Sequence, residues 1–311
     1  MNRQAQWDGR STGSAAGTGI FVWLISNAGV VPAYCLLLFV SLFYALTDKK
    51  SARAVAALRS HLGQPSSAWR RFRHCFSFGM SIIDRYAFLT GKQSFFTSEA
   101  RREDLISAAV GKGSGAILLG AHVGNWEIAG NLLTDRLKVP VHYVMMDAER
   151  PEMKDILKEA IEARKTNIIP VDSDPLDLVM AVRDAIKKNG IVCMNGDRIG
   201  HGQKGQKHNF LGADVSFPLG PFAVAAATGA PIIPVLVTKS GIRKYIFKAY
   251  APILFDGITR ENREKYIFTA LERYVGILEQ AVKEKPYEWF NFYDFWEEGG
   301  SPAGSAGVET R

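Results

Sequence analysis

The stretch GSGAILLGAHVGNWEIAGNLLTDRLKVPVHYVMM, residues 113–146, decides the fold. It opens with the apolar run GSGAILLGAH and continues with WEIAGNLLTDRL, whose apolar residues recur at helical spacing. It ends in a second apolar run, VHYVMM. A strand, an amphipathic helix and another strand, joined by short connections, are typical of one unit of a parallel sheet. The stretch therefore predicts an α/β fold.

The same alternation continues on both sides of this stretch. Predicted helices cover 51–63, 66–90, 151–164, 175–189, 219–229 and 261–285, and predicted strands cover 167–171, 190–197 and 230–239. Residues 242–254 predict an antiparallel ribbon at the edge of the sheet. The sequence as a whole predicts a mostly parallel sheet covered by helices, with a helical membrane-attached segment at the N-terminal end.

Composition excludes several classes of protein. The chain has 311 residues, 47% of them hydrophobic, which is enough to bury a full core and excludes wholesale disorder. Three widely spaced cysteines exclude a disulfide scaffold and a cysteine-rich zinc module. No His-Glu-x-x-His or aspartate-rich pattern occurs, so we expect neither a metal nor another cofactor.

The basic excess is confined to the first third of the chain. Residues 1–100 hold 11 Lys or Arg against 4 Asp or Glu, whereas residues 101–311 hold 27 of each. Residues 20–46, all uncharged, are dominated by large apolar side chains. A basic segment beside an apolar one indicates an anionic membrane surface rather than nucleic acid.

These features predict three parts of the chain: a membrane anchor over 1–48, a catalytic α/β domain over 49–298 and a disordered tail over 299–311. A kinked membrane span, two short interfacial helices and a buried helical hairpin are all compatible with the apolar segment. The lysines and arginines that follow it favour a catalytic domain on the cytoplasmic side.

One polar cluster falls at the end of the first strand of the central stretch. His122 ends that strand, Asn125 is a plausible helix N-cap, and Glu127 falls in the first helical turn. A strand, turn and helix can fold a carboxylate back onto an imidazole, and such a pair acts as a general base held in its working tautomer. A core or capping histidine is the alternative.

The segment AHVGNWE, residues 121–127, resembles the first conserved block, His-x4-acid, of the lysophospholipid and lipid A acyltransferase superfamily. The likeness is strongest to the lipid A late-acyltransferase branch, which contains lauroyl and myristoyl transferases. GDRIGHGQKGQKHNFLGADVSFPLGP at 196–221 and PYEWFNFYDFW at 286–296 resemble later segments of that branch. Leu219 departs from the acid found in glycerol-phosphate branches, which argues against glycerol 3-phosphate as acceptor.

The resemblance implies direct transfer of a fatty acyl group from a thioester of acyl carrier protein, or of coenzyme A, to a hydroxyl of a lipid or glycolipid. Lipid A biosynthesis is the reference activity, at the cytoplasmic face of the bacterial inner membrane. In this reading His122 is the base and Glu127 orients it, while Asn125 is assigned to substrate binding.

The loop after residue 195 supplies the other candidates. Arg198, beside Asp197, suits a substrate phosphate or the reaction's oxyanion, and an internal ion pair between the two is the alternative. Lys204 and Lys207 belong to a predicted mobile basic loop, with His201 and His208. That loop suits an acyl carrier protein or a lipid headgroup, and a merely solvated loop is equally compatible.

Two other functions stay open from the sequence. A catalytically silent scaffold would keep the fold and bind lipid without turnover. A thioesterase would use the same residues with water as the acceptor.

Overall fold

A computed structural model describes residues 15–113, 115–126, 128, 139–145, 167–170, 174–199, 205–293 and 295–296. Eight α-helices are assigned in full within these ranges: α1 (Ala15–Ala28), α2 (Val30–Thr47), α3 (Lys49–His61), α4 (Ala68–Leu89), α5 (Asp104–Gly111), α6 (Pro175–Lys187), α7 (Gly220–Thr228) and α8 (Arg263–Glu284). The strands are β1 (Thr97–Arg101), β2 (Ala116–Gly120), β3 (Val141–Met145), β4 (Asn167–Pro170), β5 (Ile191–Asn195), β6 (Gly205–Phe210), β7 (Ala213–Pro218), β8 (Ile232–Gly241) and β9 (Lys244–Ala249).

Seven strands form one sheet in the order β1-β9-β8-β2-β5-β3-β4. Every neighbouring pair in it is parallel except β8 and β9, which pair antiparallel. The prediction of a mostly parallel, helix-covered sheet is confirmed.

The apolar run of β2 lies at the centre of the sheet because both of its faces are covered. Ile117 and Leu119 join one buried cluster, which includes side chains of α7 and α8. Ala116 and Leu118 join the other, which includes side chains of α2, α4 and α5. Successive strand residues point to opposite faces, so a strand buried on both sides has no polar alternation.

The strand β9 in the predicted ribbon over 242–254 pairs antiparallel with β8, as expected, but the prediction that it lies at the sheet edge was wrong. The edge strand is β1, which pairs in parallel with β9 from Thr97 opposite Lys244 to Arg101 opposite Lys248. Its sequence, TSEAR, is short and polar and alternates only weakly, so no sequence pattern marks it as a strand.

The predicted mobile basic loop also differs from the structure. Lys207 and His208 lie in β6, which forms an antiparallel hairpin with β7. The turn of this hairpin contains Leu211 and Gly212, both with positive φ, at 53° and 85°. A two-residue turn of this kind fits the right-handed twist of a β-hairpin.

The apolar N-terminal segment forms two helices broken at Gly29, whose φ is 85°. The second of them, α2, is the one helix in the described residues that is long and apolar enough to cross a membrane by length and composition. One side of α2 packs along α4, where Leu37 lies against the backbone of Gly79 and Tyr34 hydrogen-bonds Asp84. The opposite side exposes large apolar side chains: Val31, Leu38, Phe39, Leu42, Phe43 and Leu46.

Some predicted elements lie outside the described residues. These are the helix over 151–164, most of the helix over 126–137 and the tail over 299–311.

Candidate active site

The AHVGNWE motif forms the turn that leaves β2 at its carboxyl end. Its backbone is held by the C-terminal segment 288–290, which lies alongside. The Phe290 N–H donates to the His122 carbonyl at 2.8 Å, and the Gly124 N–H donates to the Glu288 carbonyl at 2.7 Å. Because both bonds are to backbone, the position of His122 is fixed by the fold.

Gly124 is required by the geometry of this turn. Its φ is 68°, and a Cβ atom there would lie 1.9 Å from the carbonyl oxygen of Val237 in β8. The next residue, Asn125, donates its backbone N–H to the same oxygen at 2.8 Å. Only glycine permits both the left-handed conformation and so close an approach of two backbones.

His122 and Asp197 meet because β2 and β5 are neighbouring parallel strands, with Gly120 opposite Asn195. The carboxyl ends of parallel strands lie at one edge of the sheet, where α/β proteins place their ligands. There the Asp197 Oδ1 lies 2.8 Å from the His122 Nδ1, and its Oδ2 accepts the His122 backbone N–H at 3.0 Å.

Asp197 is a buried carboxylate that stays ionised. It exposes 1% of its surface. Burial by itself raises the pKa of Asp197, but the charge and hydrogen bonds of His122, and the charge of Arg198, lower it to about 2. A carboxylate with this pKa only accepts hydrogen bonds near neutral pH, so the His122 proton resides on Nδ1 and Nε2 is the basic nitrogen.

His122 itself is held neutral. Burial and the positive charge of Arg198 lower its pKa, against an opposing effect of Asp197. The side chain nevertheless keeps 24% of its surface exposed, so a substrate atom can reach the ring. A neutral, oriented and accessible imidazole has the properties of a general base.

Arg198 follows Asp197 and borders the same turn. Its Nη2 donates to the Phe290 carbonyl at 2.6 Å, and its guanidinium carbon lies 5.7 Å from the ring centroid of Tyr293. The carbonyl of Phe290 is therefore bound by Arg198, while the N–H of the same residue binds His122. These contacts place a fixed positive charge beside the imidazole.

Trp289 is a site residue that the sequence analysis missed. Its indole N–H donates to the Asp197 Oδ2 at 3.3 Å, and the side chain is fully buried. Buried tryptophans usually find a partner for this N–H, which is the signal that could have identified it. The aromatic segment around it packs into the core, mainly against Phe210 and Phe295.

The remaining predicted site residues are more dispersed. The Asn125 side chain is buried and donates from Nδ2 to the Ser81 carbonyl in α4 at 2.9 Å. Lys207 is exposed on the β6–β7 hairpin. Glu127 and Lys204 lie outside the described residues. The catalytic role of Glu127 and the substrate-binding roles of Asn125, Lys204 and Lys207 stay predictions.

No group of three or more His, Cys, Asp or Glu side chains that could hold a metal ion occurs in the described ranges. The acid–base chemistry described above needs none.

A histidine–carboxylate pair at the carboxyl edge of an α/β sheet is an arrangement that can activate a hydroxyl or water by general base catalysis. The sequence pattern of the family described as bacterial lipid A biosynthesis acyltransferase matches residues 76–298, and the chain belongs to that family.

More distant similarity extends to named mycobacterial enzymes. The chain is 27% identical over 135 residues to the phosphatidylinositol mannoside acyltransferases of Mycobacterium tuberculosis and Mycolicibacterium smegmatis. The matched region covers 42% of this chain and 41% to 43% of these relatives. The chain thus matches less than half the length of these curated relatives.

Proposed function

We propose that this protein is a membrane-associated O-acyltransferase that moves a fatty acyl group from a thioester to a hydroxyl of a lipid or glycolipid. The observation that carries the proposal is the hydrogen bond between His122 and Asp197, 2.8 Å long, at the carboxyl edge of the sheet. Membership of the lipid A acyltransferase family supports it independently.

In the proposed reaction, Nε2 of His122 takes the proton of the acceptor hydroxyl as its oxygen attacks the thioester carbonyl carbon. The C–O bond forms, the tetrahedral intermediate collapses and the C–S bond breaks. The proton on His122 then passes to the departing thiolate, which restores the neutral imidazole. Asp197 stabilises the imidazolium that exists between these two transfers.

The positive charge of Arg198 assists this reaction in two ways. Its charge keeps His122 deprotonated at neutral pH, and the same charge favours the negative oxygen of the tetrahedral intermediate. Glu127 remains the alternative partner of the imidazole, in line with the resemblance. The two hydrogen bonds between Asp197 and His122 support a role for Asp197, and a comparison of Asp197→Asn with Glu127→Gln decides between the two carboxylates.

The proposed donor is acyl carrier protein thioester, with coenzyme A thioester second. The proposed acceptor is a lipid that carries a glycosyl or other hydroxyl group. The names of the mycobacterial relatives point to a glycolipid acceptor for those proteins, and we extend this class to the present chain.

For membrane attachment we infer an interfacial position at the cytoplasmic side of the bacterial inner membrane. The helix α2 packs lengthwise on α4, through Tyr34 and Leu37, so it is part of the domain and not a separate stalk. Its opposite side exposes a continuous row of large apolar residues. A helix of this kind lies in a membrane surface with its apolar face in the acyl chains.

The test is an acyl-transfer assay with radiolabelled acyl carrier protein thioester and membrane lipid extract, comparing wild type with His122→Ala. We expect a labelled lipid with wild type and a rate lower by about 10²- to 10⁴-fold in the variant. Both proteins should bind neutral vesicles equally, because the histidine is not one of the exposed apolar residues of α2.

The products discriminate among the alternatives. Label released only as free fatty acid would identify a thioesterase. Equal transfer by wild type and variant would contradict the assignment of His122. Binding of acyl chains without any turnover by the wild type would support the scaffold.

A further inference from the structure

A cluster of arginines lies on α3 and at the start of α4. The segment 49–83 contains seven Lys or Arg and no Asp or Glu. Two of these residues, Arg59 in α3 and Arg73 in α4, contact the ring of Tyr287, and the charge of a third, Arg70 in α4, acts on Arg59.

Arg59 is a buried cation with neutral partners only. It is fully buried, and its Nη1 donates to the Gln64 Oε1 at 2.8 Å while its Nη2 donates to the Pro286 carbonyl at 3.3 Å. Its guanidinium carbon is 4.0 Å from the centroid of the Tyr287 ring. Within the described residues it forms no ion pair with a carboxylate. Buried charges are normally paired, because a lone one is costly to remove from water.

Arg73 contacts the same Tyr287 ring from an exposed position. Its guanidinium carbon lies 4.1 Å from the Tyr287 centroid, and the residue is solvent-exposed. Its side chain makes no hydrogen bond or ion pair with any residue that the structure describes. An arginine that contacts an aromatic ring is held in place with its N–H donors directed to the solvent, which suits bidentate binding of an oxyanion.

The charges of this cluster repel one another. Burial lowers the pKa of Arg59, and so do the nearby charges of Arg70 and Arg73, against an opposing effect of Tyr287. A bound anion would relieve this repulsion, and a phosphate matches the fork geometry of a guanidinium. The cluster thus has the charge, the donors and the rigid aromatic base that a phosphate site requires.

The surroundings of the cluster indicate where such a phosphate comes from. On α4, next to Arg70, Trp69 exposes 64% of its surface and stacks on Phe72, with 5.3 Å between ring centroids. The helix α2 packs along the same helix and carries its exposed apolar face on the other side. A cationic site at the rim of an apolar face is at the level of lipid headgroups when that face enters a bilayer.

We propose that Arg59 and Arg73, on the ring of Tyr287, form with the neighbouring Arg70 a binding site for the headgroup phosphate of an anionic phospholipid. This inference rests on the proposed attachment of α2 to a membrane surface. The exposed Arg73 and half-buried Arg70 contact the phosphate, and the buried Arg59 adds a fixed charge beneath them.

The test compares binding of the full chain to phosphatidylcholine vesicles with and without phosphatidylglycerol, for wild type, Arg73→Gln, Arg71→Gln and Tyr287→Leu. The Arg71 variant is the matched control, because it removes the same charge from the same helix without touching Tyr287. A general electrostatic attraction contributes about 1 kcal/mol for each basic residue, or about fivefold in affinity. We expect no more than that for Arg71→Gln and a loss above about tenfold for Arg73→Gln.

Tyr287→Leu is the sharpest variant because it leaves the net charge unchanged. We expect it to weaken binding to anionic vesicles several-fold and to leave binding to neutral vesicles unaltered, with an unchanged thermal melt showing that the variant is folded. Equal losses in the two arginine variants, with none in Tyr287→Leu, would overturn the site.

Two further outcomes separate this inference from the attachment on which it rests. If the wild type binds neutral vesicles and phosphatidylglycerol does not increase its affinity, the phosphate site alone is overturned. Wild type that binds neither vesicle overturns the attachment and the site together. A tenfold higher donor KM for Arg73→Gln in neutral detergent would assign the phosphate to the acyl donor and overturn the lipid assignment.

Discussion

Two buried aspartates show how the same side chain serves different purposes in this protein. Asp197 and Asp84 expose 1% and 0% of their surfaces, and each accepts several hydrogen bonds. Asp197 binds the imidazole of His122, and its pKa falls to about 2. Asp84 binds the ammonium of Lys239 and two tyrosine hydroxyls, yet burial raises its pKa.

The difference lies in what each carboxylate holds. The imidazole beside Asp197 is 24% exposed and can gain and lose a proton during a reaction. The partners of Asp84 are Tyr34 of α2, Lys239 of β8 and Tyr245 of β9, and none of their side chains is more than 10% exposed. Asp84 therefore joins the apolar helices to the sheet and cannot reach a substrate.

The two carboxylates are nevertheless connected through the catalytic turn. Asn125 lies three residues after His122, and its side chain acts on the pKa of Tyr245, a partner of Asp84. The same amide donates to the Ser81 carbonyl in α4. This connection predicts that the packing of α2 and α4 on the sheet affects the position of His122.

The largest effect on rate is expected from Asp197→Asn. An amide cannot stabilise the imidazolium and can favour the wrong tautomer, so kcat should fall on the order of 10³-fold or more. The acyl-transfer assay measures this loss, and urea unfolding checks that the fold survives. If Glu127→Gln reduced kcat far more than Asp197→Asn, Glu127 would be the acid that orients His122.

The largest effect on stability is expected at the other carboxylate. Lys239→Met leaves Asp84 buried without its cation and should lower the free energy of unfolding by about 3–5 kcal/mol. The double variant Asp84→Leu with Lys239→Met removes both charges, so it should lose less than the sum of the two single variants. Additive losses in urea unfolding would show that the ion pair is not the source of the effect.

Gly124→Ala should damage both regions, because this turn connects them. A left-handed alanine costs about 1–2 kcal/mol, and its Cβ would in addition clash with the Val237 carbonyl. Gly113→Ala is the control, since Gly113 has a similar φ of 73° with no atom within 4 Å of the added Cβ. We expect only the Gly124 variant to lose both stability and acyl transfer. Equal losses in the two variants would mean that the left-handed backbone conformation alone, and not the clash with Val237, causes the loss.

The smallest expected effect is a shift in the pH dependence of kcat/KM. Arg198 lowers the pKa of His122, so Arg198→Gln should raise that pKa. Because the neutral imidazole is the active base, the rate falls as the pH drops through this pKa. The acidic limb of the kcat/KM profile should therefore move to higher pH. Arg183→Gln, an exposed change on α6, should leave the limb in place, and a matching shift there would contradict the assignment.

Local sequence patterns predicted much of this arrangement. The apolar run of β2 marked a buried strand that is followed by a turn, and both are present. The strand β1 escaped prediction because it is short and polar. The β6–β7 hairpin was interpreted as a loop because its turn, Leu211–Gly212, lacks the usual Asn-Gly or Asp-Gly signal.

The sequence by itself determined the alternation of strands and helices and the apolar helices, and it pointed to His122 as the proposed base, because each follows from residues that are close together in the chain. Tertiary structure decided that the carboxylate of Asp197 contacts this histidine. Asp197 is 75 residues from His122, and the two meet only because β2 and β5 are neighbours. It also brought Trp289 to Asp197 and Tyr287 to the arginines, contacts that depend on how distant segments pack and that no local pattern encodes.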